Sequence, residues 1–202
     1  MFPHIDPYQT GMLDVGDGQS LYWEVCGNPS GTPAVVLHGG PGSGSTARLR
    51  RLFDPAAYRI VLFDQRGAGR SQPRVEALTD LDANTTRHLV ADLGRLRDQL
   101  GVERWVVYGL SWGATLGLAY AELFPDHVIA IVLSSVTMTR RREIHWLYHE
   151  VGRFFPDRWR HFRAGAPEHM RDGDLVAAYH HLLNLQPDVA VREQAAMDWC
   201  AW

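Results

Sequence analysis

An α/β fold built on a mostly parallel sheet is predicted by two observations. Four short apolar runs, residues 34–37 (AVVL), 58–63 (YRIVLF), 105–108 (WVVY) and 128–133 (VIAIVL), have the nearly unbroken hydrophobicity of strands buried on both faces. Helical patterns separate them: Leu89, Leu93, Leu96 and Leu100 recur at four-, three- and four-residue steps before the third run, and an Ala/Leu/Tyr-rich stretch follows it. Strand and helix therefore alternate, as parallel strands joined by helical crossovers require.

In chain order, residues 12–15 and 20–26 are β-prone and flank Gly16-Asp17-Gly18-Gln19, which tolerates the positive φ of a hairpin turn, so the sheet starts with an antiparallel pair. Strand 34–37 ends in His38-Gly39-Gly40-Pro41-Gly42, and a short helix is expected over 48–53. Strand 58–63 stops at the polar, glycine-rich Asp64-Gln65-Arg66-Gly67-Ala68-Gly69-Arg70-Ser71. After a proline-bearing loop, Asn84 is the expected cap of the leucine-patterned helix and Gly101 its stop. Strand 105–108 runs into Gly109-Leu110-Ser111-Trp112-Gly113, and the helix behind it ends at Phe124-Pro125, ahead of strand 128–133. From about Arg140 no further strand-like run occurs. Helical patches such as 143–154 and 174–185 form an appendage, dividing the chain near 1–138 and 139–202.

Composition narrows the chemistry. A net charge of -3 without long charged blocks suggests neither a nucleic-acid nor an anionic-membrane surface, and Arg140-Arg141-Arg142 reads as a solvated helix start. Cys26 and Cys200 are the only cysteines and lack any metal-ligand or C-x-x-C spacing, so no disulfide framework, zinc site or other metal is implied. Reduced thiols and the absence of a signal-like or 18-residue apolar segment fit a soluble, cytoplasmic protein. Neither G-x-G-x-x-G nor G-x-x-x-x-G-K-[ST] occurs at the glycine loops, so no nucleotide or other cofactor is expected.

Ligands collect beyond the carboxyl ends of parallel strands, where the three glycine-rich loops converge. The G-x-S-x-G turn holds Ser111 in a conformation that small neighbours permit, with its hydroxyl clear of strand and helix. Ser111 is thus the candidate nucleophile toward a carbonyl. Its oxyanion would be held by the Trp112 N–H and by an N–H of the 38–42 loop, with Gly40 the candidate and Gly39, Pro41 and Gly42 forming the rest of that substrate-facing loop.

These motifs carry a resemblance. HGGPG, DQRGAGRS, NTTRHLVADL, GLSWGATLGLAYAELFPDHV and RRREIHWLYHEVGRFFPDRW, in this order and spacing, resemble the proline iminopeptidases of the α/β-hydrolase fold, from about Phe2 to the last residue. The resemblance implies an enzyme that releases an N-terminal residue, preferably proline, from a peptide with a free N-terminus. It implies Ser111 as nucleophile, Gly40 and Trp112 as oxyanion donors, and the segment after Arg140 as a helical cap that reads the substrate's amino end. Leu110 stands where the family usually has glycine, and Thr137 and Leu147 stand where it usually has aromatic pocket residues. An esterase or amidase of another specificity therefore stays open beside the peptidase.

A serine nucleophile needs a base and an orienting acid, in the order Ser, Asp or Glu, His for this fold. The resemblance places both beyond the length of this chain, so the fold is expected to be incomplete at its C-terminus, its last strand an unpaired apolar edge prone to self-association, and the 202-residue form inactive or nearly so. A non-catalytic remnant acting by binding is the remaining reading. Asp174 with His180 or His181 has the right order but lies within one predicted helix. His38 is expected to be a satisfied structural histidine, and His145, His149, His161 and His169 surface or packing residues.

Overall fold

A computed structural model describes residues 1–78 and 81–202; Thr79 and Asp80, in the proline-bearing loop, lie outside the described residues. Two units result, Met1–Thr137 and Met138–Trp202.

Among the described residues the first unit holds a six-stranded sheet. Strands β1 (Gln9–Asp14) and β2 (Ser20–Gly27) form the expected antiparallel hairpin, with Gly16, Asp17 and Gly18 all at positive φ in its turn. The spatial order is β1-β2-β4-β3-β5-β6, where β3 is Thr32–Leu37, β4 Tyr58–Phe63, β5 Trp105–Leu110 and β6 Val128–Ser134. β2 runs antiparallel to β4, and the block β4-β3-β5-β6 is parallel. β3 is therefore flanked by the two strands whose loops matter most. Its side chains alternate between two cores: Val35 and Leu37 pack with Leu93, Leu96 and Leu116, while Val36 packs with Cys26, Ile60 and Leu62. Burial pushes the Cys26 thiol up to about 11, and neither cysteine is paired.

Helix α1 (Thr86–Gln99) buries Leu89, Val90, Leu93 and Leu96, and Gly101 at φ 61 follows its end. Asn84 does not cap it. The N-cap is Thr85, without a side-chain cap bond, and the Asn84 amide instead donates to the Arg66 carbonyl at 3.3 Å, tying the helix entry to the loop after β4. The short helix expected over 48–53 is a single 3-10 turn, Leu49–Arg51.

β6 combines the local sequence of a buried strand with the position of the expected unpaired apolar edge. Its sequence reads as a strand buried on both faces, yet Ile129 and Val132 are each 45% exposed. The reason is topological: among the described residues β6 pairs with β5 alone and forms the sheet's edge.

The Arg66 guanidinium locks this unit. Its side chain is fully buried and donates from Nε and Nη2 to the Asp92 carboxylate (2.6 and 2.8 Å), from Nη1 to Asp17 and the Ala83 carbonyl (2.8 Å each), and from Nη2 to the Val15 carbonyl (3.2 Å). One side chain thus joins the hairpin turn, the start of α1 and the β4 loop.

The second unit is helical. It comprises α3 (Arg141–Tyr148), α4 (Pro156–Gly165), α5 (Leu175–Asn184) and α6 (Val189–Ala201). Phe162 of α4 stacks on Tyr179 of α5 at 4.4 Å, and the Tyr179 hydroxyl donates to the Phe162 carbonyl at 2.7 Å. Asp174 and Asp188 cap α5 and α6, accepting from the N–H groups of Ala177 and Ala190. Among the described residues no helix is long and apolar enough to cross a membrane.

Replacing Asp92 by Asn leaves the buried Arg66 charge without its bidentate partner. Urea unfolding should show a loss of about 3–5 kcal/mol; an unchanged midpoint would contradict the locking role.

Candidate active site

The strand-to-helix turn at Ser111 is built by close approach. Ser111 follows β5 directly and is the N-cap of α2 (Trp112–Leu123), at φ 54 and ψ -119. A non-glycine residue held there costs roughly 1–3 kcal/mol of strain. The surroundings impose it. A Cβ on Gly113 would overlap the Leu37 carbonyl oxygen, and one on Gly109 would overlap the Gly113 carbonyl oxygen, so both outer positions of the motif exclude any side chain. The Ser111 N–H donates to the Ser134 carbonyl (2.9 Å) and the Thr115 hydroxyl to the Thr137 carbonyl (2.7 Å), fastening the turn to β6 and the segment after it. Among the described residues, none hydrogen-bonds to the Ser111 hydroxyl. The Trp112 N–H, first of α2, has no intrahelical carbonyl to bond.

The 38–42 loop, leaving β3 next door, lies against this turn. A Cβ on Gly39 would stand 3.1 Å from the Leu110 carbonyl oxygen and 3.2 Å from the Ser111 Cβ, a tight fit that any side chain there would meet by displacing its neighbours by a few tenths of an ångström. Gly40 and Gly42 follow at φ 114 and 97, with a cis peptide between Gly40 and Pro41. The Gly39 carbonyl is held from two sides, by the Ser43 hydroxyl at 2.7 Å and by His38 Nδ1 at 2.8 Å.

His38 is a satisfied structural residue. It is 1% exposed; Nε2 accepts from the Gln65 N–H at 3.0 Å while Nδ1 donates to the Gly39 carbonyl. One tautomer serves both bonds. Burial holds the imidazole below its ordinary pKa, which favours this neutral form. Neither nitrogen is available to Ser111. Asp174 is spent on its cap, His145 and His149 stack on each other at 4.8 Å, and His161 lies 3.2 Å from Asp198, all in the helical unit. Among the described residues no group of three or more His, Cys, Asp or Glu side chains gathers as a metal would need.

The loop after β4 supplies residues that sequence reasoning passed over. Gln65, 2% exposed, donates from Nε2 to the His38 carbonyl and accepts at Oε1 from the Trp112 indole N–H, both at 3.0 Å. The buried Asp64 carboxylate accepts from the N–H and hydroxyl of Ser45 (2.6 and 2.5 Å) and from the N–H and Nε of Arg70 (2.9 Å each). Arg70 also reaches Glu24 (3.0 Å), which takes a bidentate pair from Arg50, and its guanidinium lies 3.7 Å over the Tyr22 ring. Burial pushes the Asp64 pKa up, but the bonds from Arg70 and Ser45 outweigh it and hold the carboxyl below its ordinary value. The available signal was polar side chains placed immediately behind a buried strand, where each must find a partner.

Known proteins decide the family. A family model described as the alpha/beta hydrolase fold matches residues 32–198. The chain belongs to the α/β-hydrolase fold family. A Streptomyces coelicolor protein named a probable proline iminopeptidase is 57% identical over the whole of this chain, which spans 62% of that protein's length. The Xylella fastidiosa proline iminopeptidase (strain Temecula1) is 48% identical, again over the whole chain and 63% of that protein. Among solved structures, a proline iminopeptidase-related protein from Thermus thermophilus superposes with a TM-score of 0.59 at 27% identity, over 96% of this α/β-hydrolase chain and 65% of that one. The Mycobacterium smegmatis proline iminopeptidase, at 23% identity and a TM-score of 0.63 over 96% and 68%, supports the fold alone.

Because Asp64 titrates lower folded than unfolded, it contributes stability above its ordinary value of 3.8 and loses it as the pH falls through the folded pKa. Asp64→Asn should therefore flatten the acid limb of a stability-against-pH curve. A curve as steep as wild type below pH 3.8 would contradict this.

Proposed function

We propose that this chain carries the nucleophile and oxyanion site of a serine hydrolase of proline iminopeptidase type, acting on peptides with a free N-terminus. The observation that carries the reading is Ser111 on its strained, glycine-flanked turn, with its hydroxyl unbonded among the described residues and Gly39 against its Cβ. In this reading Ser111 Oγ attacks the carbonyl carbon of the N-terminal residue. The N–H groups of Gly40 and Trp112 receive the negative charge that moves to the carbonyl oxygen, and each such donor is worth about 2.7–4 kcal/mol in the transition state. Gly39, Pro41 and Gly42 shape the wall facing the substrate. The similarity to proteins named proline iminopeptidases supports the substrate class.

A base must take the serine proton and return it to the departing amine, and an acid must orient that base. His38 cannot serve, because both its ring nitrogens are engaged. In this proposal the base and acid belong to the part of such a protein that the chain does not span, and the helical unit is a cap for the substrate's amino end. The reduced thiols of Cys26 and Cys200 suit a cytoplasmic setting. A second reading, an esterase or amidase of other specificity, is favoured by Thr137 and Leu147 at positions where the resembled family usually has aromatic residues. A non-catalytic remnant is disfavoured, since no packing role requires a serine at 111.

Hydrolysis of prolyl and alanyl arylamides and of the matching esters separates these readings. The chain alone should stay near background. Extended by the part of the Streptomyces coelicolor relative outside the matched stretch, it should release arylamine from the prolyl substrate at least about a thousandfold faster, and Ser111→Ala should abolish the gain. Faster cleavage of alanyl amides or esters would favour the second reading; hydrolysis that survives Ser111→Ala would overturn both.

A further inference from the structure

We infer that Gln65 is the positioning residue of this site: through its side-chain amide and its backbone N–H it sets the separation and orientation of the two N–H groups assigned to the oxyanion. The inference rests on the function proposed above for Gly40 and Trp112.

The geometry is a relay of hydrogen bonds across three loops. The Trp112 indole N–H donates to Gln65 Oε1 at 3.0 Å, and Gln65 Nε2 donates to the His38 carbonyl at 3.0 Å. The Gln65 backbone N–H donates to His38 Nε2 at 3.0 Å, which leaves Nδ1 to donate to the Gly39 carbonyl at 2.8 Å; the Ser43 hydroxyl fills that carbonyl's second site at 2.7 Å. The direction of the Gln65 amide is fixed by its partners, since an indole N–H only donates and a carbonyl oxygen only accepts. A trans peptide holds its C=O and the following N–H in opposite directions. Pinning the Gly39 carbonyl therefore aims the Gly40 N–H the other way. The same Gln65 holds Trp112, whose own N–H is the other donor. Through this relay Gln65 governs both donors without touching a substrate: its side-chain amide ties the Trp112 indole to the His38 carbonyl, and its backbone N–H holds the His38 ring that pins the Gly39 carbonyl.

The residue type follows from the chemistry. The position requires one donor and one acceptor on the same short side chain, with Gln65 2% exposed. A carboxylate would set a lone pair against the His38 carbonyl. An aliphatic side chain would strand both the indole N–H and that carbonyl. Asn, shorter by one methylene, would not reach both.

The test reads the donors directly and needs no substrate, so it stands apart from the hydrolysis assay. In a ¹⁵N-labelled chain, Gln65→Leu should move the Trp112 indole signal upfield and speed its solvent exchange at least tenfold. It should shift the Gly40 and Trp112 amides together and leave Gly101, at the end of α1, in place. Gln65→Glu should show the same displacement at neutral pH. As acid protonates its carboxyl, one donor and one acceptor are restored, and the Gly40 and Trp112 signals should return toward wild type; Gln65→Asn should not recover. Unmoved Gly40 and Trp112 amides in Gln65→Leu would overturn the inference. So would shifts spread as far as Gly101, unfolding of all three variants, or a Gln65→Glu spectrum that ignores pH.

Discussion

The first turn of α2 approaches the ends of β3 and β5 so closely that no Cβ fits at Gly113 or Gly109, and much of the site follows from this contact. With both flanks reduced to glycine, the backbone can turn from strand to helix in one residue. Ser111 is that residue, and it takes the positive φ the turn demands. Because α2 sits so near β3, the loop that leaves β3 must run alongside the turn, and Gly39 passes against the serine. The candidate nucleophile and the loop assigned to the oxyanion are adjacent because of packing between main-chain atoms. Side-chain interactions then tune their relative position.

That tuning is electrostatic and buried. Directly behind β4, Asp64 joins the segment at Ser45 to its own loop through Arg70, and Arg70 continues to Glu24 on β2, where Arg50 completes the pair. Arg66 performs a similar task on the other side, linking the hairpin turn to α1 through Asp92. The charged groups of this loop and their buried partners would be costly if any were left alone. Their mutual satisfaction makes the loop after β4 a rigid shelf. Gln65 stands on that shelf between two ionic anchors, Asp64 and Arg66, which suits a side chain that must hold two neighbouring loops in register.

Much of this was legible in the sequence, for identifiable reasons. The strands 34–37, 58–63 and 105–108 were readable because a strand covered on both faces must be apolar at almost every position, and the serine turn was readable because its glycines are sterically forced. Val128–Ser134 has the composition of an interior strand, and its place as an apolar edge was readable only from the incompleteness expected of the sheet, not from the strand itself. Asn84 was misread: its amide meets the Arg66 carbonyl, eighteen residues earlier in the chain, and such tertiary competition leaves no mark on capping patterns. Gln65 stood in plain view within a polar loop, but its importance depends on partners from separate segments, which only the folded chain brings together.

Acyl transfer to Ser111 is the claim on which the functional account stands, and mass-spectrometric peptide mapping of the extended chain of the hydrolysis assay, acid-quenched during turnover of an activated ester of proline, tests it most directly. These 202 residues contain no lysine, so the competing nucleophiles within them are few, chiefly the terminal amine and the exposed Cys200. The account predicts a prolyl increment on the peptide carrying Ser111, absent in Ser111→Ala. An unmodified Ser111 peptide, with acylation confined to Cys200 or the terminus, would contradict it.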